Sequence, residues 1–186
     1  MFPAILDLSA LKVAIAGCGP AAARRLRLLG EAGVRNLLVF APEADGRMAS
    51  AAGPCLVPRL PDEGEVAALH ILFTASLPEP DSARLAGWAR EHGTLINTED
   101  VRSLCDFHVP SMIRRGDLLL SISTGGKSPG LACRLRRELE RRFDPGWAVR
   151  LDDLARSRDH WRRDGATLDE LARRTEALID ERGWLP

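Results

Sequence analysis

The sequence lacks the features that mark a nucleic-acid-binding protein, a membrane protein or a secreted precursor. Its 26 basic and 26 acidic side chains balance, so no excess of positive charge predicts binding to nucleic acid. No apolar run approaches the ~18–20 residues of a membrane-spanning helix. The first residues carry neither a basic n-region nor an apolar h-region. We therefore expect a cytoplasmic protein that binds neither nucleic acid nor membrane.

Cysteine and lysine are scarce. The four cysteines are widely spaced and form no CxxC pair, which argues against a disulfide framework in a chain of this length. Cys105 and His108 form a CxxH pair, but the other histidines stand at no matching spacing, so we expect no bound metal. Only two lysines, Lys12 and Lys127, accompany 24 arginines. Lys127 is of interest because it lies in a glycine-containing loop.

The length of 186 residues suits one domain of ordinary size with an appendage. The composition, 45% hydrophobic and 28% charged, is typical of a globular protein. Short β-rich apolar runs alternate with helical segments in the first hundred residues. This alternation predicts an α/β fold with a doubly wound parallel sheet. The predicted strands span residues 12–16, 37–40, 55–57, 70–75 and 95–97, and the predicted helices span 23–32 and 81–91.

The pattern changes after residue 100. A polar turn at 114–117 separates two apolar runs and predicts a β-hairpin. Ser128 and Pro129 then suit the cap and the first turn of a helix, and a capping box at 167–170 opens the last one. The predicted strands here span residues 107–113 and 118–123, and the later helices span 147–156 and about 168–182.

A glycine turn follows the first predicted strand. Gly17-x-Gly19-x-x-Ala22 fits the dinucleotide-binding fingerprint with alanine in the third place. The first glycine allows the tight turn, the second lets a pyrophosphate approach the backbone, and the small third residue lets helix meet strand. Free N–H groups at the helix start would bind the phosphates. A tight turn that binds no nucleotide is the alternative.

The end of the second predicted strand favours NAD over NADP. An NAD site usually carries Asp or Glu here to hold the ribose, whereas this chain has Phe40-Ala41-Pro42, with Glu43 just beyond. Either Glu43 reaches back, or backbone groups around Ala41 and Pro42 hold the ribose. No arginine stands at this position, which disfavours a phosphorylated ribose.

Two further sites carry candidate chemistry. Gly126-Lys127-Ser128 lacks the earlier glycine of a P-loop, because position 121 is serine, but its N–H groups suit an anion. A plain strand-to-helix turn is the alternative. Asp100 follows the fifth predicted strand, where ligands of open α/β sheets gather, and so is a candidate proton acceptor. An exposed loop acid or a helix cap is the alternative for Asp100.

Several short motifs occur together in a fixed order along this chain. They are Phe2–Leu8, the glycine turn, Asn97-x-x-Asp100, Cys105-Asp106-Phe107, Pro110-Ser111, Arg114-Arg115-Gly116 and Ser121–Pro129. The combination resembles the precorrin-2 dehydrogenase/sirohydrochlorin ferrochelatase family, the N-terminal module of sirohaem synthase, in its stand-alone form. The resemblance extends over essentially the whole chain, and the stretch from Cys105 to Pro129 is its most specific part.

Members of that family oxidise precorrin-2 to sirohydrochlorin with NAD⁺, and some then insert Fe²⁺, which is a substrate, to make sirohaem. The resemblance implies a homodimer with a Rossmann NAD-binding domain (1–109), a dimerisation segment (110–144) and a helical C-terminal domain (145–186). It places the family's essential aspartate on Asp100. We therefore predict cofactor contacts at Gly17, Gly19, Pro20, Ala21, Ala41, Pro42, Ser76 and Asn97, and tetrapyrrole contacts at Thr124, Gly125, Gly126, Lys127 and Ser128.

One departure from the family pattern follows the fourth predicted strand. Relatives usually have Thr-Asp-Asp there, whereas this chain has Ser76-Leu77-Pro78, so two acidic side chains are missing from the cofactor edge. This departure and the missing acid at the end of the second strand leave a non-catalytic tetrapyrrole or iron carrier on the same fold open as an alternative. A second alternative is a dehydrogenase that leaves iron insertion to a separate chelatase. We also expect methylation of uroporphyrinogen to belong to another protein.

Overall fold

The computed structural model of this chain describes residues 2–185 and divides into two compact units. The first unit ends at His108 and the second begins at Val109. The first holds a five-stranded sheet, and the second holds a two-stranded hairpin and three helices. Within the described range, no helix is both long enough and apolar enough to cross a membrane.

The first unit is built on five parallel strands, β1 (Lys12–Gly17), β2 (Asn36–Phe40), β3 (Leu56–Val57), β4 (Ile71–Ala75) and β5 (Leu95–Thr98). Their order across the sheet is β3-β2-β1-β4-β5, and every neighbouring pair is parallel. β4 is buried throughout, and β1 is buried apart from its first residue. Strands covered on both faces need continuous apolar sequences, which is what these two have. The predicted parallel sheet is confirmed.

Four helices connect the strands of this unit, α1 (Gly19–Glu31), α2 (Gly46–Ala52), α3 (Glu63–Ala67) and α4 (Glu79–Glu91). α1 begins four residues before the predicted start, because Pro20 fits the first helical turn, where an N–H is not needed. No apolar periodicity predicts α2 or α3, since each is about two turns long or shorter. α3 nevertheless has a complete capping box between Asp62 and Glu65.

One hydrophobic cluster packs the sheet of the first unit against α3 and α4. Full burial of a leucine or isoleucine side chain there stabilises the fold by roughly 1.5–3 kcal/mol. The buried members are Ala14, Ala16, Phe40, Val66, Leu72, Leu85, Ala86, Ala89 and Ile96. This packing fixes the strand ends, from which the candidate site is built.

The second unit consists of the hairpin strands β6 (Ser111–Arg115) and β7 (Leu118–Ile122) followed by α5 (Pro129–Arg142), α6 (Trp147–Arg163) and α7 (Leu168–Glu181). Ser128 caps α5 by accepting a hydrogen bond from the Leu131 N–H at 3.2 Å. Thr167 and Glu170 form the predicted capping box of α7. Both predicted helix starts are confirmed. The division of this unit at residue 144 stays a prediction.

Three predicted boundaries in the second half are wrong. β6 begins at Ser111 and not at residue 107, because the Phe107 carbonyl accepts a hydrogen bond from the Asn97 side chain of the first unit. The hairpin turn contains only Gly116 and Asp117, and Gly116 has the positive φ, +59°, that two-residue turns require. α6 also continues seven residues beyond its predicted end at 156.

Candidate active site

The candidate residues of the first unit lie at one edge of its sheet. Parallel strands all end at the same edge, and the strand order changes direction between β1 and β4, where ligands of open sheets bind. Gly19 follows β1, Ala41 follows β2, Ser76 follows β4 and Asp100 follows β5. Positions predicted from four separate segments of the sequence therefore share this carboxyl edge.

The two glycines of the turn after β1 have different roles. Gly17 has a φ of +123°, and a Cβ added to it would lie 1.8 Å from the Ala75 carbonyl oxygen of β4. Gly19 has a φ of +76°, and a Cβ there would meet no atom within 4 Å. Gly17 is thus required by the sheet itself, whereas the backbone at Gly19 is open to a bound group. Ala22, the third small residue of the fingerprint, is fully buried.

The start of α1 fits an anionic ligand. Cys18 occupies the N-cap position but forms no side-chain cap, and the first turn contains no acidic side chain. The N–H groups of a helix start without a cap lack partners, and they lie at the positive end of the helix dipole. Together with the open backbone at Gly19, this arrangement suits a pyrophosphate. The residues present therefore fit a dinucleotide.

The end of β2 presents backbone where an NAD site usually has a carboxylate. Ala41 is fully buried, and its N–H donates to the Val57 carbonyl at 2.9 Å. Pro42 and Glu43 follow in an exposed turn. The two routes to the ribose considered above, Glu43 or the backbone around Ala41 and Pro42, both stay open.

A cavity of about 330 Å³ lies between the ends of β4 and β5. Ser76 and Asp100 both line it, and both have left-handed backbone conformations, with φ of +56° and +61°. Residues with side chains are strained in this region, and such strain is concentrated at functional sites. Asp100 is exposed at the cavity wall, so its carboxylate is accessible to a bound molecule.

Asn97, a predicted cofactor contact, is oriented into the first unit. Its side-chain oxygen accepts a hydrogen bond from Arg25 at 3.2 Å, and its amide nitrogen donates to the Phe107 carbonyl at 2.9 Å and to the Cys105 sulfur at 3.6 Å. The residue is only 6% exposed. Both amide N–H groups are therefore used within the protein.

Arg24 and Arg25 are part of the candidate site, and sequence reasoning did not predict either of them. Arg24 forms an ion pair with Glu99 at 3.2 Å, next to Asp100 in the chain. The Arg25 guanidinium lies 4.7 Å from the centre of the Phe73 ring. Burial lowers the pKa of Arg25, and the nearby Glu99 carboxylate opposes that shift. No motif or spacing connects α1 to the end of β5, so only the fold relates them.

The loop from Thr124 to Ser128 belongs to the second unit and closes on itself. The Thr124 hydroxyl donates to the Ser128 carbonyl at 3.1 Å and accepts from the Ser128 N–H at 3.3 Å. Gly125 and Gly126 both have positive φ, +62° and +77°, and Lys127 is exposed. The loop is a compact turn ahead of α5 that presents one lysine to solvent.

Two protein-family models match the chain. One, described as putative NAD(P)-binding, matches residues 4–111, which is more than half of the chain. The chain belongs to this NAD(P)-binding family. The second model, described as sirohaem biosynthesis protein central, matches residues 115–142 of the second unit. The predicted family resemblance is thereby confirmed, and so is the predicted class of cofactor, a nicotinamide dinucleotide.

Known relatives of this family member are longer proteins. A siroheme synthase from Azotobacter vinelandii is 33% identical over 158 residues, which cover 83% of this chain and 33% of that protein. A siroheme synthase from Methylococcus capsulatus is 33% identical over 141 residues, or 74% of this chain and 30% of that protein. The chain thus spans about a third of the length of the curated relatives it matches.

A solved structure confirms the fold of the whole chain. It is named SirC, precorrin-2 dehydrogenase, and it matches 100% of this chain and 93% of its own with a TM-score of 0.78 and 22% sequence identity. At 22% identity the match supports the fold alone, including the helices of the second unit.

Proposed function

We propose that this chain is an NAD-dependent dehydrogenase that oxidises precorrin-2 to sirohydrochlorin. The observation that carries the proposal is the cavity between β4 and β5, where the strained Asp100 is exposed at the same sheet edge as the open glycine turn. Membership in an NAD(P)-binding family supports the cofactor. The names of related proteins, siroheme synthase and precorrin-2 dehydrogenase, support the substrate.

The reaction removes one hydride and one proton from precorrin-2. When bound, NAD⁺ supplies a nicotinamide ring that accepts the hydride. Asp100 accepts the proton, because an exposed carboxylate at the cavity wall can reach a bound substrate and is a common general base. The remaining residues of the edge bind and orient the reactants.

The turn after β1 and the neighbouring strand ends supply the cofactor contacts. Gly19 keeps the backbone accessible, and the N–H groups that open α1 would hold the pyrophosphate of the dinucleotide. The residues that we assign to the cofactor are Gly17, Gly19, Pro20, Ala21, Ala41, Pro42 and Ser76.

The loop of the second unit supplies contacts to the substrate. Precorrin-2 is an anionic macrocycle with several carboxylates, and Lys127 presents an exposed ammonium on a loop with two consecutive left-handed glycines. Charge-assisted hydrogen bonds of this kind orient carboxylates. The residues that we assign to the substrate are Thr124, Gly125, Gly126, Lys127 and Ser128.

The exposed apolar face of α5 supports a homodimer. This 14-residue helix contains no buried residue. Leu131 and Leu135, one turn apart, are 50% and 41% exposed. A second copy of the chain that covers these side chains would remove apolar surface from water. We keep the cytoplasm as the expected location of this dimer.

The test is anaerobic incubation of the chain with precorrin-2 and NAD⁺, followed by Fe²⁺, with an absorption spectrum after each step. We expect sirohydrochlorin and NADH to form together in equal amounts. We expect Asp100→Asn, which keeps the size of the side chain but removes its charge, to slow oxidation at least ~100-fold. If the sirohaem spectrum appeared after Fe²⁺ addition, the chain would also have ferrochelatase activity, with ferrous ion as substrate.

Two outcomes would reject the proposal. NAD⁺ binding in the millimolar range or weaker, without NADH formation, would favour the tetrapyrrole or iron carrier. Near-normal oxidation by Asp100→Asn, with the variant still folded by circular dichroism, would remove Asp100 from the chemistry.

A further inference from the structure

Asp100 lies in a turn with an uncommon backbone conformation. Its φ of +61° is in the left-handed region, which costs free energy for a residue with a side chain, although aspartate adopts it more readily than most. The Val101 N–H donates to the Thr98 carbonyl at 3.4 Å and closes the turn locally. Asp100 is exposed, so its own side chain is not packed against the protein. The segments before and after the turn therefore set where this turn lies.

Asn97 connects both of these segments. It lies on β5, three residues before Asp100, and its amide nitrogen donates to the Phe107 carbonyl at 2.9 Å and to the Cys105 sulfur at 3.6 Å. The Cys105 thiol in turn contacts the Thr98 N–H at 3.3 Å and the Thr98 carbonyl at 3.1 Å. The segment after Asp100 is thus held against the strand that precedes it.

Arg25 fixes the orientation of the Asn97 amide. An asparagine amide has two nearly equivalent orientations, and its hydrogen-bond partners decide between them. Arg25 can only donate, so the atom that it contacts at 3.2 Å must be the amide oxygen. The amide nitrogen then points to Phe107 and Cys105. Arg25 therefore selects the orientation that holds the segment after Asp100.

Aromatic contacts hold Arg25 in place. Its guanidinium lies 4.7 Å from the centre of the Phe73 ring, a distance typical of a cation–π interaction. The Phe73 ring packs edge-on against Phe107, with 5.4 Å between ring centres. Phe107 thus contacts the network twice, through its ring and through its carbonyl.

We propose that Asn97 and Arg25 are positioning residues that hold the turn after β5, so that the Asp100 carboxylate stays at the cavity. This inference rests on the proposed dehydrogenase function. It replaces the predicted cofactor contact at Asn97, because that side chain is 6% exposed and both its N–H groups are used within the protein.

The decisive variant is Asn97→Asp. Its carboxylate still accepts a hydrogen bond from Arg25 but cannot donate to the Phe107 carbonyl or to the Cys105 sulfur, so both donated contacts are lost and the accepted one is kept. We expect kcat for precorrin-2 oxidation to fall about tenfold while the Kd for NAD⁺ changes less than twofold. Arg25→Gln should also lower kcat, and Arg25→Lys, which keeps a charged donor, should restore part of the loss.

Arg27→Gln is the matched control for the Arg25 variants. Arg27 is on the same helix, is largely exposed and pairs only with Glu31 among the described residues. We expect wild-type kcat and wild-type Kd for NAD⁺ in this variant. If Arg27→Gln lowered kcat as much as Arg25→Gln, the loss of a charge on α1 would explain the effect, and the proposal would be wrong.

A second measurement separates this inference from the proposed function. The backbone amide signals of Asp100 and Val101 in a ¹⁵N NMR spectrum report the turn without cofactor or substrate. We expect these signals to shift or broaden in Asn97→Asp and Arg25→Gln and to stay unchanged in Arg27→Gln. Inactive wild-type protein would reject the dehydrogenase, and the NMR comparison would still decide whether this pair holds the turn.

Two results would overturn the proposal. A rise of fivefold or more in the Kd for NAD⁺ at unchanged kcat would make Asn97 a cofactor contact. A lower melting temperature with unchanged kcat and unchanged Asp100 and Val101 signals would make the network a stabilising feature only.

Discussion

The two units of the chain bury their apolar side chains to very different extents. In the first unit, β4 and nearly all of β1 are inaccessible to solvent, and helices cover the sheet. In the second, the buried hydrophobic side chains among the described residues are only Ile113, Trp147, Leu154 and Leu171, and α5 contributes none. The first unit therefore has a hydrophobic core that is fully buried within the unit. The second exposes an apolar helix face on α5, the face that we propose a partner copy covers.

The largest effect we expect tests how tightly the first unit is packed. Gly17→Ala places a Cβ 1.8 Å from the Ala75 carbonyl oxygen in a left-handed backbone. Because β1 and β4 cannot move apart without disrupting the core, we expect a loss of about 3 kcal/mol in the free energy of unfolding. Urea denaturation measures it.

Gly19→Ala is the control for that variant. It carries the same kind of backbone strain without the clash, since no atom lies within 4 Å of its added Cβ, and should lose only about 1 kcal/mol. Equal losses for the two variants would show that the contact with Ala75 is not limiting.

The second prediction concerns the exposed face of the second unit. We expect the double variant Leu131→Ser and Leu135→Ser to weaken the proposed homodimer by about 2 kcal/mol, or roughly 30-fold in Kd. The physical reason is the loss of apolar area that the partner copy would cover. Light scattering over a concentration series measures the Kd. Leu168→Ser, at a 79% exposed position on α7, should leave it unchanged. A dimer of wild-type strength in the double variant would contradict the proposed interface.

The third prediction compares the two ends of α1, because only the N-terminal end presents the helix N–H groups that suit a pyrophosphate. Gly19 and Gly33 have nearly the same φ, +76° and +77°, and neither has an atom within 4 Å of an added Cβ. We expect Gly19→Val to raise the Kd for NAD⁺ at least ~10-fold by blocking the pyrophosphate. Gly33→Val should destabilise the fold similarly but bind NAD⁺ normally. Calorimetry distinguishes the two, and equal Kd values would make the turn merely structural.

The smallest effect that we expect is a pH-dependent loss of stability, and it is tested on one capping box from each unit. Hydrogen bonds from Arg59 and from the Asp62 N–H lower the pKa of Glu65 to about 2, from its ordinary value of 4.5. The ionised Glu65 carboxylate therefore stabilises the folded state fully above pH 4.5, and this stabilisation is lost as the pH falls toward 2. We expect Glu65→Gln, which keeps the cap, to lower the melting temperature by about 2 °C at pH 6 and not at pH 2.

Glu170 of the second unit is the comparison for that variant. Its pKa is also lowered, by hydrogen bonds from Thr167, but it has no bidentate arginine partner. Glu170→Gln should therefore show a weaker dependence on pH than Glu65→Gln. An equal dependence for both variants would show that Arg59 contributes nothing.

Long periodic segments and strong caps were predictable from the sequence. β1, β4, α4 and α7 follow from apolar runs, helical spacing and a capping box, since each depends on residues close together in the chain. α2 and α3 were not, because short helices carry no periodicity. The Asp62-x-x-Glu65 box was the one local signal that would have revealed α3.

The candidate site divides in the same way. The glycine turn and Asp100 follow from the sequence, since a fingerprint and a position after a strand are local features. The left-handed backbone at Asp100 and Ser76 does not follow from the sequence. Neither does the proposed positioning role of Asn97, because it depends on Arg25, Phe73 and Phe107, which come together only in the fold. A contact between residues 72 positions apart leaves no trace in local spacing.

By itself, the sequence determined the parallel α/β architecture, the glycine turn and the family, because hydrophobic periodicity, turn chemistry and motifs are written in neighbouring residues. Only the tertiary structure decided that Gly17 must be glycine for the sake of β4, that the Asn97 amide is directed inward, and that Asp100 is exposed at a cavity. The physical reason is that these properties belong to pairs of strands and helices brought together by burial of the core, and no single segment specifies them.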